Sequence, residues 1–261
     1  MSNKVKEKIM NGEKPLGTFL NLESAAVMEC IGNTGVDYAI IDMEHSALDK
    51  SACTDLVRAA ELSGTVPFVC IADVAHGDIQ KAVDAGALGI IAPCLRTVEE
   101  VKQLVAYAKF APIGQRGFGP VRSDLWGAGP SAEIGVGPYM EYCNERVLVL
   151  PQCETKECLE NIEDIMRLEG VDGIFVGPFD LSISLGVPAQ FDAPVFTAAI
   201  ERILKACKDA GKFAFVFGVN PEACKHRLAQ GFDSVACGGD ASMLAQAFSR
   251  MVAELKGGDL L

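Results

Sequence analysis

Eight short apolar runs, set between alanine-rich amphipathic segments from one end of the chain to the other, limit what this sequence can fold into. The runs are Gly17–Leu22, Tyr38–Met43, Pro67–Ala72, Gly89–Pro93, Val147–Gln152, Gly173–Pro178, Phe213–Gly218 and Ser234–Gly238. Each is apolar continuously rather than at alternate positions, the pattern of parallel strands covered on both faces. The segments between them carry helix ends. Thr97-Val98-Glu99-Glu100 reads as a capping box, and Asn220-Pro221 places a cap before a first-turn proline. Gly32, Gly64, Gly86, Gly211 and Gly231 stand where helices close, and Asp240 is placed to cap a last helix, Ala241–Lys256. Eight strand–helix units are the count of a closed (β/α)8 TIM barrel. A doubly wound open sheet could hold the same runs, but no glycine-rich phosphate fingerprint follows the first one. The chain reads as a single domain over residues 1–261, with an irregular insertion at about 111–146 that holds the sole Trp126. Insertions of that length serve as active-site lids or subunit contacts.

Composition removes several classes of function. A formal charge of −12 argues against nucleic acid and anionic membrane as partners, since both call for a basic face. No stretch approaches the ~20 apolar residues of a membrane span. Residues 1–14 are polar, with no apolar run behind them, so no signal peptide is read there. The ten cysteines include no C-x-x-C pair; they read as reduced, mostly buried small hydrophobes, and the protein as cytoplasmic.

In a barrel the chemistry sits at the C-terminal ends of the strands. The polar residues there are Asp42, Glu44 and His45, then Asp73 and His76, then Gln152 and Glu154, and finally Asp180. Glu154 and Asp180 close two nearly apolar strands, where unpaired carboxylates are costly. A divalent cation would satisfy both, and a pair of helix N-caps would account for them equally well. His45 has the proton affinity of a general base, or it is one more loop histidine. No lysine ends a strand, so a Schiff-base mechanism has no candidate nucleophile.

The strings Gly17-Thr18-Phe19-Leu20, Ile41-Asp42-Met43-Glu44-His45, Val83-Asp84-Ala85-Gly86, Gln115-Arg116-Gly117, Gln152-Cys153-Glu154-Thr155 and Val171-Asp172-Gly173-Ile174-Phe175-Val176-Gly177-Pro178-Phe179-Asp180-Leu181-Ser182 resemble the HpcH/HpaI family of class II pyruvate aldolases. The resemblance runs from about Leu16 to Leu255. It implies a metal-dependent carbon–carbon lyase acting on a 4-hydroxy-2-oxo acid or a 2-oxo-3-deoxy sugar acid, with pyruvate or a related 2-oxo acid as product. Glu154 and Asp180 would hold Mg2+ or Mn2+, or alternatively Co2+. His45, oriented by Asp84, would move the proton. Gln152, Gly177, Pro178 and Phe179 would line the 2-oxo acid pocket. The family also implies a homo-oligomer, a hexamer built as a trimer of dimers with the last helix exchanged. The stripe Met243, Leu244, Ala247, Phe248, Met251, Val252 and Leu255 fits that, and it fits packing on the chain's own barrel as well.

One position departs from the pattern. Where the family carries an arginine that donates to the enolate oxygen, this chain has Cys70, which has no charge and only a weak donor. Arg116 or Arg122 could swing in from the insertion to replace it, the substrate could need no cation there, or the protein could be a weakly catalytic metabolite-binding homologue. A citrate-lyase-like enzyme acting on CoA thioesters is a further alternative, although no basic patch for the phosphates is evident. A nucleophilic role for Cys70 would require a group that lowers its pKa. Phe179, where a small residue is common, would narrow the pocket.

Overall fold

The structure is a computed structural model that describes residues 2–256. Eight parallel strands close a barrel in chain order, with the last pairing back onto the first. They are β1 (Leu16–Leu20), β2 (Tyr38–Asp42), β3 (Val66–Cys70), β4 (Gly89–Ala92), β5 (Leu148–Cys153), β6 (Gly173–Val176), β7 (Phe213–Gly218) and β8 (Ser234–Gly239). All eight apolar runs are strands, and the open-sheet alternative falls away. Side chains alternate across each strand, so a continuous apolar run serves two cores. Ile40, Phe68, Leu148, Leu150, Phe175 and Phe215 fill the barrel interior, while Ile41, Val69, Val149 and Val216 pack outward against the helices.

The interior is aromatic. Tyr38 packs on Phe68 with ring centroids 4.8 Å apart, and Phe19 meets Phe217 at 5.6 Å and Phe175 at 6.0 Å. Small neighbours make room for these rings: a Cβ on Gly17 would lie 2.2 Å from the Tyr38 ring. The helix Lys4–Met10 closes the N-terminal face, burying Val5 and Ile9 against the interior cluster. Asn3 fastens it there, donating to the carbonyls of Leu88 and Arg146.

Helix ends follow the sequence except at Gly32 and at Asp240, which is the first residue of its helix and accepts from the β1 loop instead of capping. Thr97 and Glu100 form the reciprocal capping box, Asn220 accepts from the Ala223 N–H, and Gly86, Gly211 and Gly231 end helices in the left-handed conformation. Gly32 instead remains inside the helix Ala25–Gly32. Its missing side chain admits Ser63, whose Oγ would lie 2.3 Å from a Cβ there.

The insertion is more ordered than expected, ending in the helix Val136–Arg146. It joins the helix Val98–Ala108 to β5, and a segment leading from a helix into the next strand leaves and returns at the strands' N-terminal face. No residue of it lines the cavity at the opposite face, so it is not a lid over this chain's own site.

The C-terminal helix spans Asp240–Lys256, and only Asp240 is buried. Met243, Leu244, Phe248, Met251, Val252 and Leu255 are each 41–80% exposed, so the stripe does not pack on its own barrel. Among the described residues no helix is long and apolar enough to cross a membrane.

Candidate active site

The alternation that builds the barrel also aims its polar residues. In β5, Leu148, Leu150 and Gln152 face inward, and the same period carries on to Glu154 just past the strand. The β2–β3 register sets Asp42 beside Cys70, and the β5–β6 register sets Gln152 beside Phe175. A cavity of about 260 Å³ opens at this end of the barrel. Its walls include Asn21, Asp42, Glu44, His45, Gln152 and Asp180, together with the rings of Phe19, Phe175, Phe179 and Phe217.

Asp42 organises the loop after β2. Its Oδ1 accepts from the backbone N–H groups of Glu44 and His45, each at 3.0 Å, and its Oδ2 accepts from Asn21 Nδ2 at 2.7 Å. Asp240 does the same for the loop after β1, accepting from the N–H groups of Asn21 and Leu22 at 2.8 and 3.1 Å. His45 projects into the mouth, with Nε2 3.6 Å from Glu44 Oε1.

Glu154 lies at the cavity floor and is 4% exposed. The backbone N–H of Cys94 donates to its Oε1 at 2.5 Å, and Gln152 Nε2 donates to its Oε2. A side chain at Gly177 would crowd this carboxylate, since a Cβ there would lie 2.8 Å from Oε2. Glu44 approaches from the opposite wall, with the Cys70 thiol 3.6 Å from its Oε2 and Cys94 Sγ 3.9 Å from its Oε1. Asp180 stands at the third position of the helix Pro178–Ser184, facing the same space.

The electrostatics record an excess of negative charge. Burial pushes the Glu44 carboxyl up to about 7, and the neighbouring Glu154 charge adds to the shift. Burial also lifts Glu154, against the bonds from Gln152 and Cys94, and the Asp180 charge lifts it further. The Cys94 thiol is pushed up to about 11 by desolvation and by the Glu154 and Glu44 charges. Cys70 is raised well above a normal thiol, chiefly by burial, the reverse of what a nucleophile requires. No lysine or arginine lines the cavity among the described residues. Gln152 Oε1 is buried and has no hydrogen-bond partner.

These are the features of a cation site. Three carboxylates share a partly desolvated space with no lysine or arginine among the lining residues described, and a buried amide oxygen beside them is unsatisfied. Oxygen atoms of Glu44 and Glu154 and Cys94 Sγ all lie within 4.8 Å of one another.

Residues 16–247 match the family described as HpcH/HpaI aldolase/citrate lyase. The chain belongs to this family. A hydroxypyruvate/pyruvate aldolase of Rhizorhabdus wittichii is 34% identical over 97% of this chain and 99% of its own length. A 2-keto-3-deoxy-L-rhamnonate aldolase of Escherichia coli is 30% identical over 99% of this chain and 95% of its own. A crystal structure of an HpcH/HpaI aldolase/citrate lyase family protein from Burkholderia cenocepacia J2315 superposes with a TM-score of 0.89 at 28% identity, covering 98% of this chain and all of that one. The barrel is thus the scaffold of an HpcH/HpaI-family lyase.

Of the residues singled out in the sequence, His45, Gln152, Gly177, Pro178, Phe179 and Asp180 line this cavity, with Glu154 directly beneath. Cys70 joins them through Glu44. Asp84 and Arg116 do not. Asp84 is near the C-terminal end of the helix His76–Ala85, which runs back toward the strands' N-termini. There Arg116 Nη2 donates to Asp84 Oδ1 at 2.7 Å, and its guanidinium stacks 4.4 Å from the Phe110 ring centroid. Arg122 is likewise engaged, with Glu61 and the Ala85 carbonyl. Neither arginine stands in beside Cys70 within this chain, and the carboxylate that meets the His45 ring is Glu44 rather than Asp84. Among the other strand-end candidates, His76 packs edge-on against Tyr107 and Asp73 bonds to its own loop. Two residues of the site, Asn21 and Cys94, carry no signal in the sequence. Asn21 lies inside the first apolar run, just past the end of β1, without a motif. Cys94 reaches the site through a left-handed backbone (φ 58°) that no periodicity announces.

Proposed function

We propose that the protein is a divalent-metal-dependent aldolase that cleaves, or in reverse forms, the C3–C4 bond of a 4-hydroxy-2-oxo acid. The observation that carries this reading is a family-matched cavity whose ionisable lining is carboxylates and one histidine, with no lysine to form a Schiff base. Glu154 and Asp180 would hold the ion, which when bound supplies Lewis-acid polarisation of the 2-oxo group.

The chain's own residues do the rest. The N–H groups of Phe179 and Asp180 lack partners within the first turn of their helix and are positioned for the substrate carboxylate. His45 takes the proton of the 4-hydroxyl. The C4–O bond becomes the aldehyde carbonyl, the C3–C4 bond breaks, and its electron pair passes to the 2-oxo fragment as an enolate. Protonation at C3 then gives the 2-oxo acid. Glu44, 3.6 Å from the His45 ring, would steady it in its charged form. Gln152, which lines the same cavity, is fixed by Glu154, and its Oε1 is buried without a partner. The acids in the name of one relative, pyruvate and hydroxypyruvate, have three carbons and suit a cavity of about 260 Å³ walled by four phenylalanines. The exposed apolar face of the C-terminal helix supports a homo-oligomer in which a partner covers it.

The reading is tested by following pyruvate release, coupled to lactate dehydrogenase, from 4-hydroxy-2-oxo acids with Mn2+ or Mg2+ and with EDTA. Release should require metal, and Glu154→Ala and His45→Ala should each lower kcat by roughly 10²–10⁴-fold. Metal-independent release, or full activity in either variant, would refute it.

A further inference from the structure

The loop after β4 brings a sulfur donor to the acidic floor of the cavity. Cys94 is exposed, yet it points into the barrel mouth rather than outward. Its Sγ is 3.9 Å from Glu44 Oε1, its backbone N–H bonds Glu154 Oε1, and its sulfur lies within 4.8 Å of an oxygen of each carboxylate. Donors bound to one ion at about 2.0–2.3 Å must lie within about 4.6 Å of each other, so this spacing requires little adjustment. The loop holds Cys94 in the left-handed region at φ 58°, a conformation that costs a non-glycine residue about 1 kcal/mol or more. This backbone directs the N–H at Glu154 and brings the thiol to Glu44, between the two carboxylates. A second observation points independently to a ligand: Gln152 is 7% exposed, lines the same cavity, and its Oε1 has no partner.

We propose that Cys94 is a metal ligand, so that a thiolate joins Glu154 and Asp180 and the centre favours a softer ion, Zn2+ or Co2+, over Mg2+. The inference rests on the metal-dependent reading above and adds to it the character of the ion. Three protein ligands leave coordination positions for the two oxygens of a 2-oxo acid. Glu44 closes the cluster from the far side and keeps its contact with His45. Thiolate ligands select Zn2+ and Co2+, while Mg2+ prefers all-oxygen shells.

The test is optical and needs no turnover. Co2+ is titrated into the metal-free protein and into Cys94→Ser and Cys70→Ser. The wild type should show a sulfur-to-cobalt charge-transfer band in the near ultraviolet together with visible d–d bands. C94S should lose the charge-transfer band, keep d–d bands, and bind Zn2+ about tenfold or more weakly, with Mn2+ affinity changed far less. C70S should keep the band. Wild type that binds Co2+ with d–d bands but no charge transfer overturns the thiolate while leaving the metal centre standing. A band that persists in C94S overturns it too. Wild type that takes up neither Co2+ nor Mn2+ removes the metal-dependent reading itself. Cd2+ uptake by the wild type, read by its ultraviolet thiolate absorption, tests for the thiolate without reliance on a folded variant, and Cd2+ bound without that absorption overturns it.

Discussion

At the scale of single residues, the site depends on what is absent at Gly177 as much as on what is present around it. Its backbone is unstrained (φ −91°, ψ 92°), so alanine could adopt the conformation, but the added Cβ would lie 2.8 Å from Glu154 Oε2. Contacts that close do not occur, and the carboxylate is the mobile partner. Gly177→Ala should therefore fold normally and lose metal affinity by roughly 10–100-fold, the scale seen when a ligand's support is disturbed. Isothermal titration with Mn2+ beside a thermal melt would separate the two effects; unchanged affinity would mean that Glu154 is not a ligand. Gln152 and Glu154 were legible in the sequence because they stand two apart at the end of an apolar run, which puts both on the inner face of β5. Cys94 was not, since its direction comes from one backbone torsion. The Asp84 expectation failed as a contact within this chain for a directional reason: strand ends and helix ends lie on opposite faces of a barrel, and Asp84 is at a helix end.

At the scale of elements, the helix Val98–Ala108 shows how local chemistry fixes the loop that carries Cys94. Glu100 accepts from the N–H groups of Arg96 and Thr97, and these bonds hold its carboxyl below the ordinary value of 4.5. A carboxyl lowered in the native state contributes stability above its unfolded pKa and loses it as the pH falls through the native value. Glu100→Ala should cost about 1 kcal/mol at pH 7, less for its exposure, which is a shift of about 2–4 °C in Tm for a chain of this size. The difference should shrink as the pH falls below 4.5, and a gap that stays constant with pH would show that the carboxylate's charge plays no part. The capping box was readable because it is a local signal. The face on which the insertion emerges was not, since that follows from counting which element it leaves and which it enters.

At the scale of the whole molecule, the C-terminal helix cannot be explained by this chain alone. It is 17 residues long and thus about 25 Å, with one buried residue and an apolar stripe turned to solvent. An exposed apolar stripe of that extent is what a partner surface would cover. The sequence left its partner open because a stripe at helical spacing looks the same whether it meets its own barrel or another. The structure removes the first option: the helix begins at Asp240, whose carboxylate holds the β1 loop, and then departs from the barrel. Because Asp240 holds Asn21 at the cavity rim, a partner that fixes this helix would also steady the rim. Replacing Leu244 and Phe248 with aspartate puts two charges into the centre of the exposed apolar face, where neither finds a basic partner on this chain's stripe. Sedimentation velocity should then show an assembled wild type and a monomeric double variant. The barrel core is untouched by the change, so near-native circular dichroism is expected for the variant, with a lower Tm because the linked assembly no longer supports the fold. A double variant that sediments like the wild type would place the interface elsewhere.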